Sequence, residues 1–416
     1  MPVGQLRIAM LSAHSCPVGK LGTKDTGGMS VYIREIACEL GKHGHLVDVY
    51  TRVHDSQDRQ IYELGQNARL IHLRAGEDEQ IHKLALYAHL PAFVNNVESF
   101  RNPNNLQYDL IFSHYWLSAL AGMFLQQRWR VPHITMFHTL GAVKNAVRET
   151  TFPALGEREP RLRIETERKL VQDCHRIIAS TGREKHALVR HYGAPSQKIG
   201  VVPCGVNLEH FRVIAKAQAR RHLGLNSDKI ILFVGRIDPL KGVDNLIKAL
   251  PHLCQIPKLK LMIIGGGEHS QHEVEQLQKL AHNLELQNSV DFLGLIKHEE
   301  LPYFYSAADA CVVPSYYESF GLVALESLAC GTPVVATDVG NHKNLIREGQ
   351  TGYVIEHNDP RRLADRIGLL LLSPASDTRS AQSIRATVDR LSWSNIAEAI
   401  VKDCRLALTK YLASVP

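Results

Sequence analysis

Short apolar runs recur along the chain, separated by stretches with a helical period. RIAMLS (7–12) has the length and continuity of a buried strand. In the next segment Ile33, Ile36, Ala37 and Leu40 fall at i, i+3, i+4 and i+7, which predicts an amphipathic helix stopped at Gly44. LVDVYT (46–51) is the following strand. Strand, loop, helix and strand make a βαβ unit, which implies a parallel sheet. DLIFSH (109–114), HITMFH (133–138), RIIAST (176–181) and KIGVVP (198–203) continue the series. A second series follows with KIILFVGRI (229–237), LKLMIIGGG (259–267), VDFLG (290–294), ACVVPS (310–315) and TPVVATD (332–338). Helical segments such as VDNLIKAL separate the strands. The pattern predicts two doubly wound α/β domains joined near CGVNLEHF (204–211), with residues 391–412 as a closing helix. Ligands of such sheets bind beyond the carboxyl ends of the strands, so a cleft between the domains is where chemistry is expected.

The length agrees, since 416 residues exceed one ordinary core. A net charge of +6 is mildly basic, and no Lys/Arg run is dense enough to suggest nucleic acid. A small anionic ligand fits this balance, as does none. The eight cysteines form no C-x-x-C, so free thiols in a reducing cytosol are expected. The N-terminus reads as a first strand rather than a secretory signal, and apolar runs such as IGLLLLS (367–373) are too short to span a bilayer. No HExxH, paired CxxC, EF-hand or DxD pattern is present, so no dedicated metal site is expected. There is no G-x-S-x-G elbow to suggest a serine hydrolase.

Three stretches carry candidate chemistry. TGGMS (26–30) lies between a strand and a helix, where free amides suit a phosphate, although a plain tight turn has the same form. A nicotinamide dehydrogenase would need G-x-G-x-x-G and an acid ending the second strand. Here the first loop has only Gly27-Gly28, the second strand ends in Thr51-Arg52, and Ser270 takes the last position of the pattern begun at Gly265. FVGRIDPLKG (233–242) sets Arg236 and Lys241 beyond a strand, where two cations can hold a diphosphate or simply decorate a loop. In YESFGLVALESLACG, Glu318 precedes a helix expected over Gly321–Cys330 and closed by Gly331, and Glu326 lies inside it. The helix start can bind phosphate while the carboxylates accept hydrogen bonds from sugar hydroxyls; a solvated helix face is the plain alternative.

ESFGLVALE followed by ACGTPVVAT, VGRIDPLKG and TGGMSVYIREIACEL together resemble, in order, the donor-site, basic and glycine-loop motifs of the family-4 retaining glycosyltransferases. The resemblance implies the GT-B fold: Rossmann-like domains over 1–205 and 206–390, a cleft between them, and a helix over 391–416 crossing back to the first. It implies that Arg236 and Lys241 bind the donor diphosphate, Glu318 contacts the transferred sugar, Glu326 the ribose, and Gly28 the donor phosphate. Gly235, Phe320, Gly321 and Leu322 complete the implied donor set, and His138 matches the family histidine near the transferred sugar. Catalysis is thus assigned to His138, Arg236, Lys241 and Glu318. A narrower similarity is to the branch acting on D-inositol 3-phosphate and, more distantly, to sucrose-phosphate synthases. It places Lys83, Tyr115, Thr139 and Arg163 on the acceptor's phosphate, and Lys144 joins them because FHTLGAVK resembles a synthase segment. Two cations and two hydroxyls can saturate a phosphate's acceptor oxygens. A UDP-sugar donor and a phosphorylated polyol or sugar acceptor follow as expected substrates, with no cofactor and no metal required. No nucleic acid or membrane partner is expected, the location is expected to be cytoplasmic, and dimers occur among the relatives. Transfer to fructose 6-phosphate and a catalytically silent nucleotide-sugar-binding protein are the alternatives.

Overall fold

A computed structural model of the protein describes residues 4–19, 27–55, 57–76, 81–151, 158–225, 229–267, 270–373 and 380–414. The chain divides into two compact units. One holds the described residues up to Cys204 and the chain from Trp393 onward; the other runs from Gly205 to Ser392.

The first unit carries strands β1 (Arg7–Ser12), β2 (Leu46–Arg52), β3 (Ile61–Gly65), β4 (Ala68–Leu73), β5 (Leu110–His114), β6 (His133–Met136), β7 (Arg176–Ala179) and β8 (Ile199–Val201). Among the described residues they form one sheet in the order β3-β4-β2-β1-β5-β6-β7-β8. Every neighbouring pair is parallel except the edge strand β3, which runs antiparallel to β4. Ile8, Ala9, Met10 and Leu11 of β1 are all fully buried, as a strand covered on both faces requires. The helices are α1 (Gly28–Lys42), α2 (Lys83–Arg101), α3 (Tyr115–Trp129), α4 (Gly141–Thr151), α5 (Arg161–Asp173) and α6 (Gly182–Tyr192). The expected stripe Ile33, Ile36, Ala37 and Leu40 of α1 is fully buried. The C-terminal helix (Trp393–Ser414) packs on α1, with Trp393 edge-on to Tyr32 and Ser394 bonded to His43. Asp403 of the same helix accepts from Arg176 at 2.5 Å.

The second unit carries β9 (Lys229–Val234), β10 (Leu259–Ile264), β11 (Val290–Gly294), β12 (Ala310–Val313), β13 (Val334–Thr337) and β14 (Gly352–Ile355). They form a parallel sheet in the order β11-β10-β9-β12-β13-β14. Each sheet has one place where the strand order turns round: between β1 and β5 in the first, between β9 and β12 in the second. The loops leaving the carboxyl ends of these strand pairs diverge, and the crevice so formed is the general ligand position in this fold class.

Several expected strands stop early, among them RIIAST at Ala179, KIILFVGRI at Val234 and ACVVPS at Val313. HITMFH ends at Met136, because His138 turns to φ +59. LKLMIIGGG ends at Ile264, after which Gly265 and Gly266 both take positive φ. The expected helix over 321–330 spans Leu322–Ala329, and the closing helix begins at Trp393 rather than 391. All eight cysteines are free thiols. Among the described residues no helix is long and apolar enough to cross a membrane.

Candidate active site

In the second unit the loops after β9 and β12 hold most of the predicted donor residues. Arg236 lies two residues beyond β9 and is exposed. The chain then makes a short 3-10 turn, Pro239–Lys241, capped by Asp238, whose carboxylate accepts from the Leu240 amide at 2.9 Å. Gly242 ends the turn at φ +65, and a Cβ there would lie 2.2 Å from the Pro314 carbonyl oxygen. The Tyr316 amide donates to the Leu240 carbonyl at 2.8 Å, so the lysine turn and the loop after β12 are locked together.

That lock sets Lys241 against Glu318. The ammonium lies 2.5 Å from Glu318 Oε1, and the Ser315 hydroxyl donates to the same oxygen at 2.8 Å. Both of these bonds fall on Oε1 and leave Oε2 on the far side of the carboxylate. Burial pushes this carboxyl up, but Lys241, His342 and Ser315 together hold it below its ordinary value. It is therefore ionised at neutral pH. Gly321 follows at φ +107, directly before helix Leu322–Ala329, and a Cβ there would meet His342 Nε2 at 2.4 Å. A side chain is excluded both by conformation and by space. Phe320 is buried, while Leu322 is partly covered. His342 is fully buried, and its Nδ1–H donates to the Thr337 carbonyl at 2.8 Å, so the neutral ring carries its lone pair on Nε2. Glu326 sits one turn into the helix. The buried Tyr305 hydroxyl donates to its Oε2 at 2.8 Å, yet burial still raises the carboxyl to about 7. This arrangement offers cations, helix amides and carboxylate acceptors from one loop cluster, the complement of a diphosphate beside hydroxyl groups.

In the first unit the corresponding place is the end of β5 and the turn after β6. His114 closes β5, and Tyr115 starts α3 at φ +74. His114 Nδ1 and His138 Nε2 are hydrogen-bonded at 2.9 Å. The Thr139 amide donates back to the Phe137 carbonyl at 2.6 Å with His138 at φ +59 between them, a γ-turn of the rare, strained kind. Such strain persists only where the surroundings impose it, which is common at functional sites. Tyr32 stands edge-on to His138, ring centroids 5.2 Å apart. Burial lowers the His138 imidazole to about 3, so it is neutral at physiological pH.

Four of the five predicted phosphate ligands converge beside it. Arg163 is 1% exposed, with its guanidinium 4.8 Å from the centre of the Tyr115 ring. Its Nε donates to Glu167 at 2.7 Å and Nη1 to Glu159 at 2.8 Å. Nη2 donates to the Thr139 carbonyl and hydroxyl at 2.8 and 3.0 Å. Lys144 forms an ion pair with Glu159. Glu167 also accepts from the Gly141 amide, at the start of α4, and from the Tyr192 hydroxyl. Lys83 opens α2, and its side chain lies outside the described residues. Gly28 is exposed at the first turn of α1, and the residues just before Gly27 lie outside the described residues.

Comparison with known proteins supplies the family. Residues 26–210 match the family model Glycosyltransferase Family 4, and residues 215–387 match Glycosyl transferases group 1. A D-inositol 3-phosphate glycosyltransferase of Xylanimonas cellulosilytica is 37% identical over 406 residues, covering 95% of each chain. The chain belongs to the family-4 glycosyltransferases. Among solved structures, the sucrose-phosphate synthase of Thermosynechococcus elongatus matches with a TM-score of 0.87 at 32% identity, over 99% of this chain and all of that one. Anabaena Alr3699/HepE, solved with UDP and glucose, shares the fold at a TM-score of 0.73 and 20% identity, over 99% of this chain and all of that one. The two units are thus the Rossmann-like halves of a GT-B glycosyltransferase.

Several residues of this glycosyltransferase's sites escaped sequence reasoning. Glu159 and Glu167 had a signal, because Glu159, Arg163 and Glu167 are spaced i, i+4, i+8 with alternating charge. Tyr305 and His342 reach the donor loops through tertiary contacts and had none, while Ser315 stands three residues before Glu318 in the same loop. His114 sits in SHYW, two residues before a tryptophan, and reads as ordinary core until its bond to His138 is seen.

Proposed function

We propose that the protein transfers a sugar from a UDP-linked donor to a hydroxyl of a phosphorylated polyol, an inositol phosphate, with retention of anomeric configuration and without a metal ion. The observation that carries the reading is the Lys241–Glu318 pair at the turning point of the second sheet, with Arg236 five residues before Lys241 in the same loop and the helix Leu322–Ala329 starting four residues after Glu318. Arg236 and Lys241 would bind the diphosphate and stabilise its charge as the bond to the sugar breaks, the work a metal ion does elsewhere. Glu318, ionised through its contact with Lys241, would accept a sugar hydroxyl on Oε2, and Glu326 would accept the ribose hydroxyls. Gly28, Gly235, Phe320, Gly321 and Leu322 would line the donor.

A carboxylate already held by an ammonium and a hydroxyl is a weak nucleophile. Front-face attack therefore suits this site better than a covalent intermediate. The bond from the anomeric carbon to the diphosphate breaks, the acceptor oxygen bonds to the same face, and the acceptor proton passes to a diphosphate oxygen. His138 stays neutral and orients the transferred sugar through a hydrogen bond. Tyr115, Thr139, Lys144, Arg163 and Lys83 would hold the acceptor's phosphate. The relatives named for D-inositol 3-phosphate support that acceptor. The synthase likeness supports fructose 6-phosphate as a second reading. A screen of nucleotide sugars against inositol phosphates, fructose 6-phosphate and glycerol phosphates, with the product's anomeric configuration read by NMR, tests the proposal. Product of retained configuration on an inositol phosphate is expected; an inverted product, or transfer only to unphosphorylated acceptors, would refute it.

A further inference from the structure

The proposed function gives His138 a hydrogen bond to the transferred sugar, and the role of His114 beside it rests on that reading. A neutral imidazole has one N–H and one lone pair, so the nitrogen that carries the proton decides what His138 can offer. His114 bears on that choice. In the parallel pairing of β5 with β6, His114 stands opposite Met136, and His138 follows two residues on. The turn at His138, φ +59, brings its Nε2 to 2.9 Å from His114 Nδ1. His114 is fully buried, with the Phe112 and Tyr32 rings 4.3 and 5.7 Å from its own, centre to centre. Tyr32 also packs on His138 and is itself backed by Trp393. Burial holds both imidazoles neutral.

Two neutral rings can share this bond in two ways. If His138 Nε2–H donates, the proton of His114 must sit on its Nε2. That nitrogen is buried and has no hydrogen-bond partner among the described residues, so an N–H there is left without an acceptor. If His114 Nδ1–H donates, His114 Nε2 carries only a lone pair, and the proton of His138 sits on Nδ1. A buried N–H without an acceptor is rarer than a buried acceptor without a donor, which favours the second arrangement. In that arrangement the His138 Nδ1–H belongs to a half-buried residue and has no partner among the described residues.

We infer that His114 is a positioning residue of the transfer: by donating from Nδ1–H to His138 Nε2 it fixes His138 as the Nδ1–H tautomer, which donates to a hydroxyl oxygen of the transferred sugar. The same bond holds the plane of the ring, so the N–H is aimed as well as assigned. His114 itself touches no substrate.

Histidine tautomers are read without substrate from the ring carbon and nitrogen shifts of isotope-labelled protein, with the His138 signal assigned by its loss in His138→Gln. The wild-type ring is expected as Nδ1–H, and an Nε2–H ring overturns the inference. His114→Leu removes the donor. It is expected to let His138 populate the Nε2–H form and to lower kcat with a UDP-sugar about tenfold at unchanged acceptor KM, the scale of one lost hydrogen bond in the transition state. His114→Asn sets an amide near the Nδ1 position and is expected to restore the Nδ1–H form and most of kcat. A residue that only filled apolar space would rank the two variants the other way. A folded His114→Leu with wild-type kcat overturns the inference; should that variant fail to fold, the wild-type tautomer and His114→Asn decide. A wild type that transfers no sugar overturns the proposed function and this inference with it, whereas an Nε2–H ring in an active wild type overturns this inference alone.

Discussion

Two sets of cations stand at equivalent places in the two sheets, yet they are held in opposite ways. In the second unit Arg236 is exposed, and Lys241 leans on one carboxylate while its side chain stays 20% exposed. In the first unit Arg163 is 1% exposed, and each of its three nitrogens is bonded to Glu167, Glu159 or Thr139. A partly buried pair of this kind can rearrange around a ligand more readily than a fully buried network. A buried, fully bonded arginine is part of the fold, and breaking its network is expensive. On the proposed reading, the same residue type would serve mainly recognition in one unit and both recognition and architecture in the other.

The comparison is broken most directly by Lys241→Ala. Turnover should fall about 100- to 1000-fold, the usual loss of one donor to developing charge, while stability should fall by less than for Glu167→Ala. Rates with UDP-sugar and a urea unfolding curve measure both; turnover near wild type would remove Lys241 from the chemistry. The converse is Glu167→Ala. It leaves Arg163 Nε, the Tyr192 hydroxyl and the Gly141 amide without their shared acceptor, and should cost about 3–5 kcal/mol in the same unfolding assay. A loss under about 1 kcal/mol would mean that the network is not structural.

A subtler contrast lies inside the donor set. Burial lifts Glu326 to about 7, whereas Lys241 holds Glu318 low. On the proposed reading, ribose hydroxyls would donate to the ionised form of Glu326, so nucleotide binding should release a proton. UDP affinity should therefore fall several-fold as pH drops through about 7, and calorimetry in buffers of different ionisation enthalpy should show that proton. Glu326→Gln should abolish this step and leave only the titration of UDP itself. The smallest effect is on stability. The folded carboxyl titrates above its unfolded value, so whatever it contributes to folding is present at low pH and lost as pH rises through about 7. At pH above about 8 Glu326→Gln should then melt a few degrees higher than wild type.

Much of the fold could be read from the chain because its strands are covered on both faces and stand out as continuous apolar runs. The unread parts lack that signature. IYELG, which forms β3, is an exposed edge strand with no buried face to leave a pattern. In α2 the helical period is blurred by Pro91, and in α3 nearly every residue from Tyr115 to Leu125 is buried, so no polar face marks the helix. At the site, glycines and charges close in sequence were legible: Arg236 and Lys241 lie in the loop after β9, and Glu318 and Gly321 in the loop after β12. Residues that act through a turn were not. His138 was expected to extend a strand, and its side chain points where it does only because the backbone is forced to positive φ. The carboxylates that neutralise Arg163 were overlooked because a ligand set argued from resemblance names the cations and not what balances them.

The central claim is that sugar passes from a UDP donor to an acceptor recognised by its phosphate. It is tested most directly by the wild-type ratio of kcat/KM for D-inositol 3-phosphate over free inositol with a UDP-sugar donor. Several charge-assisted hydrogen bonds to the phosphate predict a ratio on the order of 1000 or more. A ratio near unity would contradict the account.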